Sequence, residues 1–162
     1  MATGLRDELP EVSGLRERWG VDVLHCPYCH GYEVRDMPLA VLGGDNRPFT
    51  IHQASLVRQW SSDVVFFPNR ITLAVEERTR LTARGIRIAE GEIAGLVVQD
   101  HQLHGIELAD GQIVPRAVAF VGPPAQLINA AGAGTKAGIA LNHFLLERDV
   151  QQAVAAIPTA CR

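Results

Sequence analysis

The chain has 162 residues, 47% hydrophobic and 20% charged, with a formal net charge of −3. That is enough for one packed core of ordinary domain size, and the basic residues are scattered, which excludes nucleic acid and anionic lipid as main partners. No apolar stretch approaches the roughly 20 residues of a bilayer span, and residues 1–11 carry charges where a secretory leader has its apolar centre, so a cytoplasmic protein is expected.

In chain order, residues 1–20 mix charge with turn formers, and Leu15 to Trp19 suit one helical turn. Val21 to His25 predicts a short strand feeding Cys26 and Cys29, and the chain turns again at Asp36 to Pro38. Leu39 to Leu42 is an apolar run ending in Gly43 and Gly44, and Phe49 to Trp60 has helical apolar spacing, giving strand, glycine turn and helix. Val64 to Phe67 is a buried strand, Glu76 to Arg84 a helix closed by Gly85, and Ile86 to Ala89 a third strand.

From Glu92 to Val114 the pattern changes to Ile93–Val98, Leu103–Leu108 and Gln112–Val114, separated by turn residues, which predicts an antiparallel meander. Ala117 to Val121 is a further strand, and Gln126 to Glu147 predicts a long helix that Val150 to Ile157 extends or follows. The sum is an α/β fold: an open, mostly parallel Rossmann-like sheet with helices on its faces, a β-meander insertion and a C-terminal helix. Trp19, Trp60, Phe66 and Phe67 are expected in the core, and His52, His101, His104 and His143, which lack ligand spacing, on the surface or a helix face.

Two cysteines separated by two residues can close a small exchange-prone disulfide, and His25 and His30 flank this pair. Dithiol-disulfide chemistry is the leading reading. Cys26 to His30 also matches the CxxCH signature of covalent haem attachment, Cys26 and Cys29 with one histidine could serve zinc, and two thiols without chemistry remain the bland alternative. The zinc reading lacks a second ligand pair, so no metal is expected. Cys161, next to last, reads as a tail thiol. The letters Cys-Pro-Tyr-Cys also mark glutaredoxins, where they end a strand and open a helix. Here the following residues, His30 to Pro38, are poor in helix formers, and no helix is expected.

The order Ala2-Thr3-Gly4, then the cysteine pair with His30-Gly31, then Leu39 to Gly44, resembles the bacterial thioredoxin reductase-like NAD(P)/FAD-dependent oxidoreductases. The resemblance implies a nucleotide domain inserted into an FAD domain: 1–24 as a lead-in from the FAD domain, 25–121 as the NAD(P)-binding-like domain, and 122–162 as a segment like the last FAD-domain helix. It implies FAD and NADPH as cofactors and a thioredoxin-like protein or small disulfide as substrate. Cys29 would then face the flavin, Cys26 would exchange with the substrate, His30 would handle the proton, and Gln126 and Leu127 would meet the flavin through backbone groups. Gly43 and Gly44 would form the nucleotide turn, and Arg70 would favour NADP, there being no acid at Pro68-Asn69-Arg70 for a ribose hydroxyl.

The chain also departs from that pattern. The family's first GxGxxG is missing, and the nucleotide turn continues as Asp45, Asn46, Arg47 and Pro48, which brings a negative charge to the phosphate position and removes a donor. The expected protein is an incomplete disulfide oxidoreductase, with a catalytically silent nucleotide- or partner-binding module as the rival. Small residues from Ala130 to Ala140 predict close packing against a second copy, a homodimer.

Overall fold

A computed structural model describes residues 9–44, 46–122 and 133–157, the last stretch with side chains from 138 onward. Helix α1 (Leu15–Arg18), strand β1 (Val23–Leu24) and helix α2 (Pro27–His30) precede β2 (Leu39–Leu42), α3 (Arg47–Val57), β3 (Val64–Phe67), α4 (Val75–Ala83) and β4 (Arg87–Ile88). Strands β5 (Ile93–Gln99), β6 (Gln102–Leu108) and β7 (Ile113–Pro115) follow, then β8 (Val118–Val121) and α5 (Ala133–Ala155). The five-stranded sheet runs β1-β8-β2-β3-β4 and its pairings are all parallel, whereas β5-β6-β7 is antiparallel. This is the expected mixed α/β class.

Strands β2, β3 and β8 are uninterrupted apolar runs because both of their faces are covered. Alternate residues divide between two cores. Leu39, Val41, Val64, Phe66, Val118 and Phe120 meet Ala54 and Val57 of α3 and Leu81 of α4. Ala40, Leu42, Val65, Phe67, Ala119 and Val121 face the other way, onto Leu15 and onto Ile93, Leu103, Ile106 and Leu108 of the meander. This corrects the expectation of helices on both faces: α3 and α4 cover one face, and the other packs mainly on the antiparallel sheet. Trp19 and Trp60 are half-buried at the margins of these cores, while Phe66 and Phe67 are fully buried.

Local chemistry sets the helix limits. Asn46 caps α3, its Oδ1 accepting from the Phe49 amide at 3.3 Å, which starts the helix two residues before the apolar spacing does. At α4 the Glu77 carboxylate accepts from the Ala74 amide at 2.8 Å, half of a capping box. Gly85, at φ +72°, takes the left-handed conformation that ends α4. Helix α5 continues without a break through the segment that Val150 opens, and lies on α3 and α4 through Leu146, Val150 and half-buried Val154 against Leu56. Ion pairs from Arg80 to Glu147 and Arg84 to Asp149 flank that contact. The predicted start of α5, from Gln126, lies outside the described residues.

Candidate functional site

Strand β1 stops at Leu24, and Cys26, extended at φ −109° and ψ 105°, stands as the N-cap of α2. Pro27 supplies a helical φ and is buried at the first helical position. The Cys26 carbonyl accepts from the amides of Cys29 and His30, both at 3.1 Å, closing one turn. The pair therefore does follow a strand and open a helix, contrary to the expectation from residues 30–38. The helix is a single turn, and α2 leads into turns rather than a further helix.

That turn places the two Sγ atoms 2.8 Å apart, with Cys29 donating to Cys26. Closing to a disulfide length of about 2.05 Å needs only a small side-chain movement. Cys29 is exposed and Cys26 half-buried. The hydrogen bond to Cys26, then burial, push the Cys29 thiol up to about 11, so at neutral pH its proton stays on. Cys26 is the acceptor of that bond.

Histidines surround the pair. His25 stacks on Trp19 with ring centroids 5.7 Å apart and meets His30 edge-on at 6.4 Å. His30 Nδ1 lies 3.3 Å from a Glu33 carboxylate oxygen, which gives this half-buried imidazole a carboxylate partner. Gly31 lets the chain press on Trp60, since a Cβ there would sit 2.3 Å from the indole nitrogen.

Two further contacts hold the turn, and neither is legible in the sequence. Gln53, fully buried on α3, donates its amide to the His25 carbonyl at 2.7 Å, while its buried Oε1 has no partner among the described residues. Asn142 on α5 donates to the Tyr28 hydroxyl at 2.9 Å, between the two cysteines in sequence. These pairs are 28 and 114 residues apart, and no local spacing encodes them.

The glycine turn occupies the carboxyl end of β2, with β8 between it and β1, so both turns lie on one edge of the sheet. Gly43 packs on the carbonyl of Pro68, where a Cβ would come within 2.2 Å. Gly44 lies beside Gly122 with ordinary space around it. At the start of α3, Pro48 has no N–H, and the amides of Phe49 and Thr50 are taken by the Asn46 side chain and carbonyl. At most one of the first four amides, that of Arg47, is left for a phosphate, and the Arg47 side chain is paired with Glu77. The first turn of α3 therefore offers a pyrophosphate at most one backbone donor. Arg70, just past β3, is exposed and paired with Glu92 at 2.6 Å.

The structure thus brings Cys26, Cys29 and His30 together, sets Gly43 and Gly44 two strands away, and leaves Arg70 beyond them. Asp45, Gln126, Leu127 and Cys161 lie outside the described residues, as do nearly all the side chains from Ala130 to Ala140. Among the described residues no group of three or more His, Cys, Asp or Glu side chains could hold a metal ion. Of the described helices, none is long and apolar enough to cross a membrane.

No family model matches the chain. A probable thioredoxin reductase of Arthroderma benhamiae is 32% identical over 77 residues, 48% of this chain and 19% of that protein. Thioredoxin reductase aclD of Aspergillus oryzae is 33% identical over 73 residues, 43% of this chain and 23% of that one. Among solved structures, HlmI is 41% identical with a TM-score of 0.71, covering 95% of this chain and 62% of its own. The putative thioredoxin reductase TrxB of Bacillus anthracis is 32% identical with a TM-score of 0.70, covering 78% of this chain and 43% of its own. The matched stretch is thus about a fifth of the length of these curated relatives. In sequence and in fold, this chain is thioredoxin reductase-like, matched over part of its relatives' length.

Proposed function

We propose that Cys26 and Cys29 are the redox dithiol of a disulfide oxidoreductase. The observation that carries this is the sulfur-sulfur approach of 2.8 Å on an exposed one-turn helix at the carboxyl end of a strand. A Cys26 thiolate attacks a substrate disulfide, forming a mixed disulfide and releasing one substrate thiol. Cys29 then loses its proton, attacks the mixed disulfide and releases the second thiol, leaving the Cys26–Cys29 disulfide. Two electrons pass to the substrate. His30, next to Cys29 in the chain and partnered by Glu33, takes the Cys29 proton and passes it on.

The substrate is a thioredoxin-like protein or a small disulfide, as the family likeness implies, and a reducing cytoplasmic setting suits a pair that must be re-reduced. On the same likeness the electrons return from NADPH through FAD, the flavin supplying the coupling of hydride to thiol chemistry. The first turn of α3 leaves NADPH few backbone donors beside Gly43 and Gly44, and Gln126 and Leu127, assigned to the flavin, lie outside the described residues. Self-association is part of this reading: Leu141, Phe144 and Leu145 form an exposed apolar row on α5 that a second copy would cover.

Alkylation mass spectrometry before and after mild reductant tests the dithiol, with reversible loss and return of two reactive thiols expected. A pair that never interconverts rejects the proposal and leaves the catalytically silent module. An absorbance scan and NADPH-dependent disulfide reduction test the cofactors separately: a colourless, inactive sample removes FAD and NADPH from this chain's own chemistry.

A further inference from the structure

Gln53 is a costly residue to keep. Its side chain is fully buried, and among the described residues it makes one hydrogen bond and leaves its carbonyl oxygen without a partner, an arrangement that costs free energy in a protein interior. The orientation is fixed, because exchanging its nitrogen and oxygen would set one carbonyl against another. The hydrogen bond it does make goes to the His25 carbonyl, one residue before Cys26, from a helix packed on the sheet. We propose that Gln53 is a positioning residue for the dithiol: its amide, by holding the His25 carbonyl, fixes the direction in which the chain enters Cys26 and so sets the sulfur-sulfur approach.

The chain of contacts is short. Cys26 is the N-cap of α2, and its carbonyl receives the amides that place Cys29 and His30. A rotation of the peptide between His25 and Cys26 therefore moves the whole turn relative to β1. Gln53 pins that peptide from the α3 side, while α5 holds the rim through Asn142 and Tyr28. The inference rests on the dithiol reading above for its importance, and not for its test.

The test compares the reduced wild-type chain with Gln53→Met, which keeps length and apolar fit and removes the donor. Ser55→Ala is the control, since Ser55 is also buried on α3 but its hydroxyl bonds only within the helix, to Ile51. The rate of iodoacetamide alkylation at each cysteine is followed across a pH series, beside a thermal melt. If Gln53 positions the pair, Gln53→Met loosens the sulfur-sulfur hydrogen bond and the Cys29 profile moves down from about 11 toward an ordinary thiol. Each unit of that movement multiplies the thiolate tenfold and lowers its intrinsic nucleophilicity, a net gain of about threefold in rate near neutral pH. Ser55→Ala leaves both cysteine profiles unchanged.

A folded Gln53→Met chain with the wild-type Cys29 profile overturns the proposal. Gln53→Leu gives a second reading: it also removes the donor to the His25 carbonyl, and a downward shift like that of the Met variant is expected, with an unchanged profile counting against the role. If neither variant folds while Ser55→Ala does, Gln53 is a core residue and the positioning role is rejected. Separately, a wild-type pair that does not interconvert in a glutathione buffer defeats the proposed function, whereas the Gln53 effect on alkylation is judged without any disulfide forming.

Discussion

Two turns at the carboxyl edge of the same sheet have opposite characters. After β1 the chain leaves an exposed cysteine, two nearby imidazoles and a single helical turn held from outside by Gln53 and Asn142. After β2 the chain goes inward: Gly43 is pressed on the Pro68 carbonyl, and the first amides of α3 are consumed by Asn46 or absent at Pro48. Polar groups left open can react or bind, whereas those already satisfied can only hold structure. The proposed chemistry therefore falls on the cysteine turn, while the described contacts of the glycine turn are structural.

The sharpest way to break that comparison is at the sulfurs. Cys26→Ser or Cys29→Ser should abolish the intramolecular disulfide completely and leave the thermal melt close to the wild type, as judged by alkylation mass spectrometry and circular dichroism. A retained disulfide in either variant would mean the wrong thiols have been assigned.

Next in size is the glycine turn. Gly43→Ala should destabilise the fold by about 1–3 kcal/mol, because its Cβ must displace a backbone carbonyl rather than a side-chain tip. Gly44→Ala, with ordinary space around the added carbon, should cost less than about 0.5 kcal/mol. Denaturant titration of both variants measures the difference, and equal losses would remove the packing account of Gly43.

A smaller effect concerns α5, the element that holds the rim of the cysteine turn. His52 meets His143 of α5 at 4.6 Å between ring centroids, and burial, then the His143 charge, lower its imidazole from the ordinary value. Arg80 of α4 also lowers it, and Glu147 of α5 opposes the shift. A lowered histidine binds its proton more readily in the unfolded chain. The stability it protects is thus present above about pH 6.5 and declines as the pH falls from there toward the folded value. Hydrogen exchange of α5 should accelerate over that interval, and His52→Gln should remove the acceleration.

Smallest of all, Arg70→Ala should change stability by less than about 0.5 kcal/mol, since both Arg70 and Glu92 are largely exposed. The same variant tests whether the arginine serves a nucleotide: an unchanged NADPH response would leave it as a surface ion pair.

The outline of the fold was readable because its strands are near-continuous apolar runs with glycine or turn residues at their ends. Val64–Phe67 falls on its predicted bounds, and the meander strands lie within a residue or so of theirs. The cysteine helix was not readable, because four residues give no periodicity and Pro27 with the Cys26 carbonyl is enough to close one turn. The cover on the second face of the sheet was also hidden, since a meander announces its own pairing and not the surface on which it lies. Of the candidate site, the two cysteines could be named from spacing and His30 from the family resemblance; Gln53 and Asn142 could not.

What the sequence determined by itself is local: where apolar runs must be buried, where turns fall, and that two thiols sit three positions apart. What only the tertiary structure decided is which groups remain open. Whether an amide or a thiol is satisfied depends on partners tens of residues away, and the free energy of a buried polar group is set by those partners rather than by its neighbours in the chain. The same edge of one sheet therefore holds a turn with an exposed thiol and one whose first helical amides are largely satisfied.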